Sequence, residues 1–156
     1  MPINACYHLE KIHTFMYMLT ADKYAFLAEL AKAYRDVHLP SMKQQKGWNP
    51  RLGFDALCFQ HHGAGNMVGA LITPCELWLV VVPDHSRLTE SLADTLTLTL
   101  PSGTYQLSLE RLPGGYELYK RAILRNLEEL ENMQEAARLA QQMMARLMQP
   151  ADEPDA

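Results

Sequence analysis

The chain reads as an α+β domain: an antiparallel sheet of about five or six strands flanked by N-terminal helices and a long C-terminal helix. Three observations predict this. Residues 67–83, MVGALITPCELWLVVVP, hold two apolar runs broken by Pro74-Cys75-Glu76; a proline cannot donate to a ladder and so marks the bend of a hairpin. Threonine and leucine alternate from Thr95 to Leu100, and after Pro101-Ser102-Gly103 the pattern resumes through Tyr105, Leu107 and Leu109, the period of half-buried antiparallel strands. Between Leu124 and Met148, residues Leu127, Leu130, Ala137, Ala140, Met144 and Leu147 recur at helical spacing, with most of the charge off that stripe.

Taken in order, residues 5–19 carry Leu9, Ile12, Met16 and Leu19 at helical spacing. A second helical stretch follows Thr20, an acceptable N-cap, with Tyr24, Leu27, Leu30, Ala31, Tyr34 and Val37 on one face and His38-Leu39-Pro40 as its stop. Residues 41–49 are polar and end at Asn49-Pro50, a turn dipeptide, so they form a loop into the sheet; Trp48 within it either caps the core edge or contacts a ligand. The first strand, 52–60, sets Leu52, Phe54, Ala56 and Cys58 on one side and Leu57 and Phe59 on the other, and residues 61–66, HHGAGN, turn it back. From Trp78 to Val82 the apolar residues run continuously, as in a strand covered on both faces. Residues 84–94 read as a short helix or structured loop, and Pro113-Gly114-Gly115 leads into a last strand over 116–123. The alternating hairpins predict a sheet with one face against helices. The expected organisation is a helical extension over 1–20, one domain over 21–149 and an acidic tail over 150–156.

Composition narrows the function classes. A chain of 156 residues is one domain long and can build a core without staples. The net charge is −4 and no lysine–arginine block tracks a phosphate backbone, so nucleic acid is not an expected partner. Cys6, Cys58 and Cys75 are odd in number and form no CxxC pair, which argues for a reducing, cytoplasmic location. Neither a signal peptide nor a membrane-inserted segment is expected.

No catalytic constellation emerges, and no cofactor is expected. Gly63-Ala64-Gly65 is followed by strand-like sequence, so no helix N-terminus is there to receive a pyrophosphate. Asp84-His85-Ser86 has the residue types of a triad, but sequence neighbours cannot assemble its geometry. His8-Leu9-Glu10 with Pro74-Cys75 echoes a zinc deaminase signature whose second cysteine is replaced by Trp78. A metal or small-molecule site drawing on His61, His62 and Cys75, with Cys58, is one alternative function. A homodimeric module pairing through the C-terminal stripe is another. Met133, Met143, Met144 and Met148 beside Glu128, Glu129, Glu131 and Glu135 offer a surface for a segment both apolar and basic.

An ordered set of residues carries a family resemblance: Asn49-Pro50, Leu52 and Phe59; Gly69-Ala70-Leu71-Ile72-Thr73-Pro74; the apolar strand ending at Pro83; Leu100-Pro101-Ser102-Gly103-Thr104; and Gly114-Gly115-Tyr116. In these the chain resembles the nickel-iron hydrogenase assembly chaperones of the HybE/HupJ type. It departs from them at Cys75, where a large residue is usual, and in lacking a Phe-Ser-Pro-Met-like segment after the last strand. The resemblance implies a non-enzymatic chaperone that binds a hydrogenase subunit precursor, the small subunit with its twin-arginine signal peptide above all, and holds it during maturation. The expected contact residues are Trp48, Thr73, Pro74, Cys75, Glu76, Glu128, Glu129, Glu131, Met133 and Met143.

Overall fold

The computed structural model describes residues 19–63, 65–84 and 92–150. The helix expected over 5–19, most of the 84–94 connection and nearly all of the acidic tail lie outside them. Two helices and six strands follow in the order α1 (Ala21–Met42), β1 (Asp55–His62), β2 (Asn66–Ile72), β3 (Leu77–Val82), β4 (Thr95–Leu100), β5 (Gly103–Leu112), β6 (Tyr116–Leu124) and α2 (Met133–Leu147). The strands form one antiparallel sheet in the order β1-β2-β3-β6-β5-β4. It consists of two meanders, β1-β2-β3 and β4-β5-β6, joined where β3 pairs with β6.

The two helices cover opposite faces, as the continuous run from Trp78 to Val82 predicts for the central strand, which corrects the expectation of one covered face drawn from the alternating hairpins. In β2 and β3, Val68, Ala70, Ile72, Leu77, Leu79 and Val81 pack with Ala136, Ala140, Met143, Met144 and Leu147 of α2. Met67, Leu71, Val80 and Val82 turn the other way, onto Leu27, Leu30, Ala31 and Tyr34 of α1. The central run is continuous because both sides of it are dry; Leu77, Leu79, Val80 and Val82 are all fully buried. In β4 only the α2 side is covered, so threonine and leucine alternate there, whereas the end of β5 also reaches α1 through Leu112. The sheet curls around α2, whose Leu147 carbonyl accepts the Ser102 N–H at 3.2 Å in the β4–β5 turn.

Thr20 caps α1, its hydroxyl accepting the Lys23 N–H at 3.3 Å. The helix does not stop at Leu39 but runs through Pro40 to Met42. In this last turn the missing proline N–H deprives only the Asp36 carbonyl, on the exposed face, while buried Met42 holds the turn onto the core. Tyr24 and Val37, expected on the buried face, are 50% and 41% exposed. The C-terminal helix is shorter than its hydrophobic spacing implies. β6 continues to Leu124, and α2 begins only after Asn132, whose side chain accepts the Glu135 N–H at 2.9 Å. Leu127 and Leu130 thus pack from the connecting loop.

β1 also departs from simple alternation. Its pairing with β2 shifts register between Leu57 and Gln60, and Cys58 sits at φ 60°, in the left-handed region. This bulge resets which side chains face which way: Leu57 joins the α2 core, whereas Phe54, Ala56 and Phe59 all join the α1 core. The strand then continues to His62, with Gly63 and Gly65 in the turn that follows. Phe59 lies flat on Gly69 of β2, where an added Cβ would come within 2.4 Å of the ring and 2.8 Å of the Phe59 Cα. Gly69→Ala therefore overpacks against ring and backbone, and is expected to destabilise the fold by about 3 kcal/mol in urea denaturation.

Candidate functional site

Asn49 organises the end of the sheet where the expected contact residues gather. Its side chain is 1% exposed, and its Nδ2 donates to the carbonyls of Leu127 at 2.8 Å and Leu130 at 3.0 Å. Its backbone N–H donates to the Pro74 carbonyl at 3.1 Å, and its Oδ1 accepts the Arg51 N–H at 3.0 Å. One residue thereby binds the β2–β3 turn to the loop that precedes α2. The Arg51 guanidinium adds bonds to the carbonyls of Leu130 at 3.1 Å and Glu128 at 2.9 Å. A loop without ladder partners needs such donors for its carbonyls.

The turn itself is closed from within. The Thr73 hydroxyl accepts the N–H groups of Cys75 at 3.1 Å and Glu76 at 2.9 Å. Thr73, Pro74 and Cys75 are buried, and burial, with Glu76 nearby, pushes the Cys75 thiol up. Their side chains, like that of buried Met143, face the interior and offer no open surface. Trp48 and Glu76 are half-buried, Trp48 against the α1 core; Met133 is half-buried, its Sδ accepting the Gly53 N–H at 3.3 Å. Glu128, Glu129 and Glu131 are exposed. They lie in the loop before α2 and not on the helix, so they stand near the start of β1.

Between β1 and the second half of α2 runs an open groove of about 790 Å³, lined by Cys58, Phe59, Gln60, Gln141, Met144, Ala145 and Met148. Cys58 lies on its wall, with burial pushing the thiol up. The alternative metal set is not assembled. His61 and His62 pair with Met67 and Asn66, whereas Cys75 lies beyond Ile72, which pairs with Asp55 at the other end of β1. Six residues of strand, about 20 Å, separate them. Among the described residues no three His, Cys, Asp or Glu side chains are grouped to hold a metal ion. The stripe assigned to self-pairing is consumed too, since Leu127, Ala140, Met144 and Leu147 are in the core.

A polar cluster under α1 escaped the sequence reading. Glu110 of β5 meets the His38 Nε2 at 2.6 Å and the Lys120 ammonium at 2.7 Å, and Lys120 also donates to the Tyr34 hydroxyl at 2.6 Å. The ammonium lies 4.1 Å from the Trp78 ring centroid, and the Tyr34 and His38 rings stack at 4.1 Å. Burial alone raises the Glu110 carboxyl, but the hydrogen bonds and charges of Lys120 and His38 outweigh it and hold the group below the ordinary carboxylate range. Burial also pushes the Tyr34 hydroxyl well up, so it stays protonated. Strand alternation placed Glu110 opposite the α2 core; a helix on the second face converts that polar position into an internal one.

The polar groups of Asn49, Arg51 and Thr73 serve internal bonds, and a groove is left open beside α2. The solution structure of HybE from Escherichia coli has the same fold, with a TM-score of 0.61 at 22% identity over 81% of this chain and 80% of that one. The hydrogenase expression/formation protein HupJ of Bradyrhizobium diazoefficiens is 25% identical over 138 residues, 87% of this chain and 79% of that protein. The family model for the [NiFe]-hydrogenase assembly chaperone HybE matches residues 25–156, and the chain belongs to that family of assembly chaperones, which are not enzymes.

Two outcomes follow from this geometry. Asn49→Ala leaves the Leu127 and Leu130 carbonyls without their buried donor and is expected to cost about 2–3 kcal/mol in chemical denaturation. For Glu110, a lowered folded-state pKa means stability that is present above the unfolded value, about 4.3, and lost as pH falls through the folded one. Glu110→Gln should therefore cost about 1–2 kcal/mol at pH 7. That deficit should shrink below pH 4, measured by urea denaturation across the range.

Proposed function

We propose that this protein holds a [NiFe]-hydrogenase subunit precursor in the cytoplasm while its assembly is completed, and that the precursor is the small subunit with its twin-arginine signal peptide. The family match over residues 25–156 carries the reading. The geometry supports it in two ways. Glu128, Glu129 and Glu131 present exposed carboxylates suited to an arginine pair, and the methionine-lined groove beside α2 suits an apolar stretch. Among the described residues no helix is long and apolar enough to cross a membrane. Half-buried Trp48, Glu76 and Met133 border this end of the sheet and remain proposed contacts.

Co-purification from cells producing a hydrogenase tests the reading: the small-subunit precursor should be retained, and a form lacking its signal peptide should not. Failure to retain any hydrogenase subunit overturns it. The triple change Glu128→Lys, Glu129→Lys, Glu131→Lys should weaken capture of a basic signal peptide about tenfold at low salt with the unfolding midpoint unchanged. Unaltered affinity at low salt rules out the acidic loop as a contact.

A further inference from the structure

We infer that the groove between β1 and α2 is the seat of the bound segment, which lies along it in one direction: paired arginines at the start of α2, apolar residues at its end. This rests on the function proposed above and specifies its site and polarity. The surface beside α2 is chemically graded along the helix. The groove is lined by Cys58, Phe59, Met144, Ala145 and Met148, with Gln60 and Gln141 as its polar members and no acidic residue. Polarizable, unbranched methionine accepts apolar side chains of varied shape, and a primary amide can both donate to and accept from the backbone of an extended chain.

The charge lies at the other end. The Gly53 N–H bond to Met133 places the start of α2 beside the start of β1. There Asp55, Glu128, Glu129 and Glu131 are exposed and Glu135 half-buried in the first turn. The cations of this loop and helix are Arg125, Arg138, Arg146 in the last turn, and Arg51, whose guanidinium is turned onto the loop carbonyls. Burial raises the Asp55 carboxyl, and a cation arriving beside it would relieve that penalty. From Glu135 to Met144 is roughly 14 Å along the helix, a distance spanned by about four extended residues. An arginine pair followed by an apolar run matches this sequence of carboxylates, then methionines, in a single alignment.

The probe is a fluorescent peptide with two arginines followed by about twelve apolar residues. Ala145 is exposed on α2, so Ala145→Arg fills the groove without disturbing the core. It should weaken peptide binding at least about tenfold. Thr97→Arg, exposed on the far edge strand β4, should leave it unchanged. Equal binding by wild type and Ala145→Arg overturns the groove assignment alone; a wild type that binds neither the peptide nor the precursor overturns the proposed function with it. A maleimide on the apolar end of the peptide should label Cys58, the Cys58→Ser variant should lose that label, and a maleimide beside the arginines should not reach it. Labelling from the arginine end overturns the direction.

Discussion

The buried amide of Asn49 is the constraint on which the other parts of this end of the molecule depend. Its two bonds to the Leu127 and Leu130 carbonyls, with the backbone N–H of the same residue on the Pro74 carbonyl, fix the β2–β3 turn and the loop before α2 relative to each other. The loop in turn sets where α2 starts, how it lies in the curl of the sheet, and where Glu128, Glu129 and Glu131 stand. An apolar residue could fill the same space but could not satisfy two carbonyls removed from water. The exposed acidic residues of this surface are therefore mounted on a buried frame of hydrogen bonds.

Much of the architecture was legible because periodicity reports burial directly. The six strands, the Thr20 cap and the Thr95–Leu100 edge strand all follow from local pattern. Pattern supplied the second covered face for the central strand, Trp78 to Val82, but not its extension over β5 and β6. Glu110 and Lys120 read as outward polar positions, and only the packing of α1 makes them partners of His38 and Tyr34. The C-terminal helix was overextended for a related reason: Leu127 and Leu130 continue its spacing by coincidence, and the cap at Asn132 is a signal of the kind that ends such ambiguity. Of the expected contact residues, Thr73, Pro74 and Cys75 are buried in their turn, whereas Glu128, Glu129 and Glu131 are exposed. The bulge at Cys58 had no sequence signature, since cysteine is not a residue that favours a left-handed backbone.

Residues that carried the family resemblance now have individual physical reasons. Asn49 binds loop carbonyls, Gly69 makes room for the Phe59 ring, Thr73 ties its own turn, and Gly114 and Gly115 adopt φ of 90° and 85°. All of these serve the fold. The surface offered to a partner is made of different residues, on the groove and the acidic loop, so it can vary while the scaffold stays the same.

The seam between β3 and β6 also bears on how the chain reaches this state. Within each three-stranded meander every pairing is between sequence neighbours, joined by short turns. Among the described strands the seam alone joins partners distant along the chain, and both helices span it, α1 through His38 to Glu110 and α2 through Leu147 to Ser102. Closing a longer loop adds entropy cost only logarithmically, but it delays the contact in time. Folding should thus proceed as two locally formed sheets whose docking is the slow step, with the edges of β3 and β6 the surfaces exposed to misassociation until it is complete.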